Sequence, residues 1–417
     1  MKKLSVRFIA DKETVYNAGS LVEADSELYF EYTEEFIRTG FELSPFFLPL
    51  REGIFKHTDR TFGSLWGLFD DSLPDGWGML LIDRYLRKRG AFFSSLSPLE
   101  KLAYLGTKTM GALAYYPPAE EEKKYESVLD LQKLADNANE ILSGTEKEIL
   151  PVLLKAGGSP GGARPKIVAG FNPENKIIFS GAPFLPEGFQ HWLIKFNSGS
   201  DSVYSGRIEF AYSLLAKDSG IDMPETRLFD GTEPESFFGI RRFDRGENNE
   251  RFHTHTFGNL IHSDFRIPTA DYNDLMKVTK ILTKNMIAVE EMFRRMVFNI
   301  FTCNRDDHVK KFSFIYDHKS LKWNAAPAYD LTFSEGPGGE HSMTVSGKGK
   351  NIGIDDILAV AKKADISKKT AKNIIDQVKG SLQKWKEIAD IAGIPNKTAT
   401  ELENIFKGIQ TGYSPEE

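Results

Sequence analysis

Two aspartates frame the segment of this 417-residue chain that most constrains its fold. Asp306 and Asp330 lie 24 positions apart, and each stands in a run of apolar and aromatic residues that is typical of a loop or strand edge. Between them, residues 312–316 and 321–323 predict two strands joined by a turn at residues 317–320. A hairpin of that kind brings two carboxylates from separated loops together. The segment therefore predicts one site that contains both aspartates.

Two carboxylates on neighbouring loops are the arrangement that phosphoryl transfer needs. One carboxylate orients the attacking hydroxyl, and the other holds the Mg²⁺ that bridges the nucleotide phosphates. The alternative is that Asp306, Asp307 and Asp330 are solvated turn residues, as most aspartates are. This segment alone leaves the two interpretations about even, so the rest of the chain has to decide between them.

The composition indicates a folded protein with a sizeable core. With 41% hydrophobic and 12% aromatic residues the chain is not a disordered protein, and its length suffices for two or three domains. The net charge of −6 predicts no general attraction to nucleic acid, so DNA contact would need a local basic patch or a partner. The single cysteine, Cys303, excludes an internal disulfide and a Cys-rich zinc site. We find no signal peptide or transmembrane span and expect a cytoplasmic protein without membrane contact.

Alternating apolar residues predict a compact β-rich unit over residues 1–120, with strands at residues 4–9 and 28–32. Residues 69–78 of this unit read Phe-Asp-Asp-Ser-Leu-Pro-Asp-Gly-Trp-Gly, and their aspartates could be mistaken for a metal cluster. A turn and helix-cap role is the stronger interpretation of such residues. The charged, proline-bearing residues 117–125 are the best candidate linker to the next unit.

A glycine-rich stretch follows the linker. It reads Ala-Gly-Gly-Ser-Pro-Gly-Gly-Ala-Arg-Pro-Lys from Ala156 to Lys166, and a strand is predicted next at residues 167–171. Loop amides that can turn toward an anion suit phosphate binding. The stretch matches neither of the standard phosphate-loop patterns, so an ordinary flexible loop is the default interpretation of it alone.

A lysine inside an apolar strand is a more specific signal. Lys195 lies in the predicted strand at residues 192–196, where it must be paired, exposed at its tip, or functional. Glu209 lies in the first turn of a helix predicted at residues 207–217. A strand lysine paired with a helix glutamate positions the α- and β-phosphates in protein-kinase-like folds. The alternative is a surface lysine and a glutamate favoured by the helix dipole.

The chain then leaves this region and becomes helical. A strand is predicted at residues 237–245, and its backbone near Arg242 and Phe243 is placed to act as a hinge. Apolar residues recur at three- and four-residue spacing over 286–301, which predicts a helix that delivers residues 304–308 at its C-terminal end.

Further helices are predicted at residues 355–379 and 381–392. The part around Ser367 to Thr370 looks like a helix-turn-helix, but plain helical packing explains it better than DNA reading.

Together these stretches resemble the HipA family of bacterial serine/threonine protein kinases, the toxin half of toxin–antitoxin pairs. The residues that carry the resemblance are 69–76 in the N-terminal unit, 159–166 in the glycine-rich loop, 242–245 in the hinge, and 304–314 and 326–331 in the catalytic and metal loops. The resemblance spans most of the chain. It implies a two-lobed, protein-kinase-like α+β fold.

This fold would divide the chain into three parts. They are a β-rich N-terminal subdomain at 1–120, a kinase-like N-lobe at 121–245 and an all-helical C-terminal lobe at 246–417.

The resemblance also implies roles for particular residues. Asp306 would orient the substrate hydroxyl, His308 would support the catalytic loop, and Asp330 would bind Mg²⁺. Residues expected at the ATP are Ser159, Gly161, Gly162, Lys166, Lys195, Glu209, Arg242 and Phe243. Ser159 resembles the autophosphorylated serine of the family, whose modification pulls the glycine-rich loop out of the ATP site. A phosphate of charge near −2 beside the triphosphate would be repelled there. A purely structural hydroxyl in a turn is the alternative for Ser159.

Lys311 departs from the family pattern, which has a metal-binding asparagine at this place. A cation cannot ligate Mg²⁺. Four explanations remain open at this stage: a single metal suffices, Asp307 or a water is the missing ligand, Lys311 neutralises phosphate charge as part of the catalytic group, or catalysis is impaired.

The resemblance implies an ATP- and Mg²⁺-dependent kinase that phosphorylates itself and a cytosolic protein such as an aminoacyl-tRNA synthetase. Its partner would be a small helix-turn-helix HipB-like antitoxin, and DNA would be contacted only through that partner. A pseudokinase scaffold for a DNA-binding repressor is the alternative, and Lys311 favours it. A small-molecule kinase is a third hypothesis. The large β-rich N-terminal unit argues against it, because that unit looks like a surface for binding a partner.

Overall fold

A computed structural model describes most of the chain. The described residues are 2–59, 61–119, 128–146, 149, 151–157, 161–180, 183–199 and 201–411. Ser159 and most of the predicted linker therefore lie outside the described residues.

An antiparallel sheet forms the N-terminal region. Its strands are β1 (Lys2–Ile9), β2 (Val15–Ala24), β3 (Glu27–Tyr32), β4 (Phe55–Lys56) and β5 (Leu113–Tyr116). They lie in the order β4-β3-β2-β1-β5, so the last strand returns to pair with the first. The strands predicted at residues 4–9 and 28–32 are confirmed. Alternate residues of β1, Val6 and Phe8, are fully buried, as a strand with one face on a core requires.

Short helices cover this sheet and lead away from it. They are α1 (Glu34–Thr39), α2 (Gly67–Asp70), α3 (Gly76–Arg87) and α4 (Pro98–Leu105). The start of α4 follows the prediction, because the Ser97 hydroxyl accepts the Glu100 amide while the Glu100 carboxylate accepts the Ser97 amide.

A second antiparallel sheet forms the middle of the chain. Its elements are α5 (Leu131–Ser143), α6 (Pro151–Gly157), β6 (Lys166–Phe171), β7 (Ile178–Ser180), β8 (Gln190–Lys195), α7 (Ser205–Asp218), β9 (Thr226–Asp230) and β10 (Ser236–Arg241). The strand order is β7-β6-β8-β10-β9. Lys166 and Lys195 stand directly opposite each other on β6 and β8, so their side chains share one face. Like charges in such a pair are destabilising, which indicates that another requirement keeps them there.

The C-terminal region is mainly helical. Its elements are β11 (His253–Thr256), α8 (Phe257–Leu260), α9 (Tyr272–Thr283), α10 (Met286–Phe301), β12 (Ser313–Asp317), β13 (Lys322–Ala325), α11 (Ile354–Lys363), α12 (Lys368–Leu382), α13 (Trp385–Ile391) and α14 (Asn396–Thr411). The predicted hairpin and the helix at residues 286–301 are confirmed. The region is not all helix, because β11 pairs with the hairpin to form a three-stranded sheet.

The helix predicted at residues 355–379 is two helices. Asp365 has a left-handed φ of +60° after α11, and the Ser367 hydroxyl accepts the Thr370 amide to start α12. No described helix is long and apolar enough to cross a membrane.

Two apolar cores hold these parts together. The larger core runs from the N-terminal sheet through α7 to the C-terminal helices. The smaller core joins Trp77 and Leu81 of α3 to Ile167 and Trp192 of the second sheet. The N-terminal region therefore packs into both cores, and the mixed α+β class with β-rich and helical ends is confirmed.

Candidate active site

A cleft of about 1080 Å³ lies between the second sheet and the C-terminal region. Most of the described residues that we predicted for the site line it. They are Gly161, Gly162, Lys166, Lys195, Arg242, Phe243, Asp306, His308, Lys311 and Asp330. The two exceptions are Glu209, which lies behind Lys195, and Asp307.

Lys195 is the buried centre of an ion-pair cluster. Its Nζ lies 2.5 Å from Glu209 Oε1 and also contacts the Asp330 carboxylate. Burial opposes the charge of Lys195, but the carboxylates of Asp330 and Glu209 outweigh burial and raise its pKa. The predicted contact between the strand lysine and the helix glutamate is thus present, and the ammonium is charged at neutral pH.

The Asp330 carboxylate accepts hydrogen bonds from two lysines, and the Asp330 backbone has a left-handed conformation. One carboxylate oxygen accepts from Lys195 and the other accepts from Lys311. Burial would raise the pKa of Asp330, but Lys195, Lys311 and Lys166 hold it well below its usual range. The φ of +56° places Asp330 in the left-handed region, which non-glycine residues adopt mainly where the surroundings enforce it.

Lys311 lies between the two aspartates that the sequence singled out. Its Nζ contacts Asp330 and lies 3.0 Å from Asp306 Oδ2. Burial opposes the charge of Lys311, yet both carboxylates raise its pKa. The Asp306 side chain is 53% exposed, so a hydroxyl from an incoming protein can reach it.

His308 supports the loop as a neutral ring. Burial and then the charge of Lys311 lower its pKa to about 4. Its Nδ1 accepts the Lys310 amide at 3.2 Å and caps the turn that follows. The proton of the neutral ring is then assigned to Nε2, which lies 4.0 Å from Asp306 Oδ1.

Asp307 points away from the cleft, in contrast to its predicted role as a metal ligand. The carboxylate is fully buried and accepts from the Tyr272 hydroxyl at 2.7 Å, the Ser342 amide at 2.8 Å and the His341 ring at 2.8 Å. These three donors occupy its oxygens, so Asp307 anchors the loop to the helical region rather than facing a metal beside Asp330.

The described end of the glycine-rich loop is held by Lys166. Its Nζ donates to the Gly161 carbonyl at 2.7 Å. Gly162 has a φ of +92°, a backbone conformation that glycine adopts readily and other residues rarely adopt, so this position favours glycine. Burial and then the charge of Lys195 lower the pKa of Lys166 to about 8. Ser159 lies outside the described residues.

At the predicted hinge the Arg242 side chain is bound within the protein, so the backbone is the part that remains to contact a ligand. The guanidinium of Arg242 donates to both oxygens of Asp244, at 2.8 and 2.6 Å, and is buried. Asp244 also accepts the Gly111 amide at 2.7 Å, which ties the hinge to the N-terminal region. Phe243 lines the cleft, with its ring 5.5 Å from that of Tyr329.

Sequence reasoning missed two site residues, Asp75 and Lys310. The Lys310 Nζ lies 3.3 Å from Asp70 Oδ2 and 3.4 Å from Asp75 Oδ1. Asp75 Oδ2 also accepts the Gly162 amide at 3.3 Å. Asp75 is the N-cap residue of α3, as the helix-cap interpretation predicts, but its side chain makes no cap hydrogen bond and joins two loops of the cleft instead. The sequence signal that could have revealed Asp75 is its position directly before Gly76-Trp77-Gly78, which indicates close backbone packing.

The side chains of the cleft could hold Mg²⁺ only together with ligands from outside the protein, such as phosphates. Among the residues that the structure describes, no group of three or more His, Cys, Asp or Glu could hold a metal ion. Mg²⁺ is usually bound by one or two carboxylates together with phosphates and waters. Asp330 supplies such a carboxylate, and the ammonium groups of Lys166 and Lys195 suit phosphates.

Comparison with known proteins identifies the family that this chain resembles. The HipA-like C-terminal domain matches residues 158–385, which is more than half of the chain, and the HipA N-terminal domain matches residues 14–116. A protein of Sinorhizobium fredii named "Putative kinase Y4dM" is 27% identical over 217 residues, which are 47% of this chain and 51% of that protein. A Haemophilus influenzae protein named "Putative kinase" is 27% identical over 177 residues, which are 39% of this chain and 51% of that protein.

These alignments span about half the length of the two curated relatives. A solved structure extends the likeness to nearly the whole chain. It comes from the complex of HipA, HipB and operator DNA of the Shewanella oneidensis MR-1 toxin–antitoxin system, with a TM-score of 0.70 and 16% identity. The match covers 97% of this chain and 95% of the other, which confirms the predicted two-lobed, HipA-like fold.

Proposed function

This chain belongs to the HipA family, and on that premise we propose that it is an ATP- and Mg²⁺-dependent serine/threonine protein kinase. The observation that carries the proposal is the meeting of two carboxylates and a buried ion pair in one cleft. Lys195 contacts both Glu209 and Asp330, and Asp306 is joined to Asp330 through Lys311.

Nucleotide binding follows from the charges of the cleft. Glu209 holds the Lys195 ammonium in place, and Lys166 stands opposite on the neighbouring strand, so both can reach the phosphates. Asp330 would hold Mg²⁺, which supplies charge neutralisation at the phosphates when it is bound. The adenine base of ATP would then lie against the backbone near Phe243.

Transfer then depends on Asp306. Its exposed carboxylate orients the serine or threonine hydroxyl and takes the proton as the substrate oxygen bonds to the γ-phosphorus. The bond from phosphorus to the bridging oxygen breaks at the same time, and ADP leaves. His308 is neutral and fixes the loop that carries Asp306.

The same proposal extends to partners and regulation. We propose a toxin that is paired with a HipB-like antitoxin, because the structurally similar chain comes from a complex with HipB and operator DNA. The net charge of −6 favours DNA contact through that partner. The substrate would be a cytosolic protein such as an aminoacyl-tRNA synthetase, and Ser159 would be autophosphorylated.

A catalytically impaired scaffold is the second candidate. The observation that favours it is Lys311, whose ammonium is bonded to both aspartates of the site. In that case the protein would bind nucleotide and a DNA-binding repressor without transferring phosphate.

Intact-mass spectrometry of protein incubated with Mg²⁺-ATP separates the two candidates. We expect the wild type to gain one phosphate and Asp306→Ala and Ser159→Ala to gain none. A wild type that starts without phosphate and gains none, on itself or on a serine peptide library, favours the scaffold.

A further inference from the structure

The position of Lys311 supports a further inference about metal use, which rests on the proposed function. Its ammonium lies 3.0 Å from Asp306 Oδ2 and also contacts Asp330 Oδ2, so one cation joins the two carboxylates. The side chain is only 14% exposed. Its own amide donates to the His308 carbonyl at 2.8 Å, which fixes the backbone from which the side chain extends. Lys311 is therefore a buried and well-anchored part of the site.

The charges around Asp306 make this cation important. Among the described residues, the groups within ion-pair distance of Asp306 are Lys311, at 3.0 Å from Oδ2, and His308, at 4.0 Å from Oδ1. Asp330 shares its other oxygen with Lys195. Lys311 thus supplies the lasting positive charge between the two aspartates.

Protein kinases commonly place metal at this point. Their second Mg²⁺ is held by a catalytic-loop asparagine together with the metal-binding aspartate. An ammonium offers no lone pair to a metal and repels a divalent cation within contact distance. We therefore propose that Lys311 takes the place of one of the two metal ions, and that the protein binds ATP with a single Mg²⁺ at Asp330.

The proposal assigns different roles to the two lysines that contact Asp330. Lys195 can leave the Asp330 oxygen that it contacts and turn to the phosphates, since Glu209 still holds it. Lys311 remains on the other Asp330 oxygen and on Asp306, so it keeps the two aspartates together. The ammonium acts as a permanent cation that does not depend on the concentration of free metal.

Counting bound metal tests the proposal without measuring activity. The probe is Mn²⁺ followed by electron paramagnetic resonance, with the non-hydrolysable analogue AMP-PNP bound to the full chain. We expect one Mn²⁺ per bound nucleotide in the wild type and in Lys311→Arg, which keeps a cation. We expect two in Lys311→Asn, which restores a neutral oxygen ligand.

Each outcome has a distinct meaning. Two metal ions on the wild type, or one on a folded Lys311→Asn protein, would overturn the inference while leaving the proposed kinase in place. If Lys311→Asn does not fold, Lys311→Gln supplies the same oxygen on a longer side chain. A wild type that binds no nucleotide at all would overturn the proposed function and this inference together.

Discussion

At the scale of single residues, the site is a balance of buried charges. Asp330 carries the charge that two lysines share, and its left-handed backbone is a conformation that Asp and Asn tolerate better than most residues. Among the residues that the structure describes, Lys311 is the cation that joins Asp306 to Asp330. Removing one charge should therefore change function without requiring a new backbone.

Asp330→Asn and Asp307→Asn form a matched pair. Asp330→Asn keeps the left-handed backbone but loses the charge, so we expect phosphoryl transfer to fall on the order of 100-fold or more. Asp307→Asn places an amide donor against buried donors, so we expect a loss of about 1–3 kcal/mol in the free energy of unfolding. Nucleotide affinity measured with Mg²⁺ should change little once the Asp307→Asn protein is folded. A large loss of Mg²⁺ dependence in Asp307→Asn would contradict the placement described here.

The lowered pKa of Lys166 predicts a pH dependence of nucleotide binding. Below its pKa of about 8 the ammonium is present, and above that value the free protein loses it. Because bound phosphate favours the charged form, affinity should fall as pH rises beyond 8, by at most about tenfold per pH unit for one linked proton. Calorimetric titration with AMP-PNP between pH 7 and 9, in buffers of different ionisation enthalpy, measures both the affinity and the proton uptake. Lys166→Arg should flatten the profile, and an unchanged slope in that variant would assign the effect to another group.

At the scale of elements, the start of α3 joins the two halves of the cleft. Asp75 accepts from the glycine-rich loop at Gly162 and pairs with Lys310 of the catalytic loop. Trp77 in the first turn of α3 adds a further link, since its indole donates to the Lys166 carbonyl at 3.0 Å. An element from the N-terminal region thus positions loops that lie 87 and 235 positions away from it.

Asp75→Asn tests this positioning role. The change leaves Lys310 with Asp70 but weakens the link to the glycine-rich loop, so we expect KM for ATP to rise roughly tenfold, which is about 1.4 kcal/mol, with kcat less affected. Asp83→Asn on the same helix is the control, because Asp83 pairs with Arg87 and does not line the cleft. Equal effects of the two variants would show that α3 acts only through general stability.

At the scale of the whole molecule, the N-terminal region is part of the folded protein and not a detachable module. Val6 and Phe8 belong to the core that also contains the C-terminal helices, and Trp77 belongs to the core of the second sheet. Both cores would lose buried apolar surface if this region were absent.

Removal of residues 1–116 should therefore prevent folding. We expect the remaining chain to aggregate or to lack a cooperative thermal transition, since the surfaces under β1 and α3 would be exposed. Circular dichroism during heating is the measurement, with the full chain as the reference. A shortened chain that unfolds cooperatively and binds AMP-PNP would refute this view of the cores.

Features that depend on local pattern were predictable from the order of the amino acids. Apolar periodicity predicted α10 and the hairpin, the capping residues predicted the start of α4, and the polar pair Lys195 and Glu209 was visible because each stands out in its own element. These signals come from residues close in the chain, where spacing alone sets which side chains share a face.

The directions of neighbouring side chains, in contrast, depend on the packing of the folded chain. Asp306 and Asp307 are consecutive, yet Asp306 faces the cleft. Asp307 is buried and accepts hydrogen bonds from Tyr272 and His341, which come from distant segments. Asp75 has a turn residue's sequence context, but Lys310 approaches it from the catalytic loop. Such contacts depend on how cores pack, because a side chain takes whichever buried partner the folded chain brings within hydrogen-bond distance.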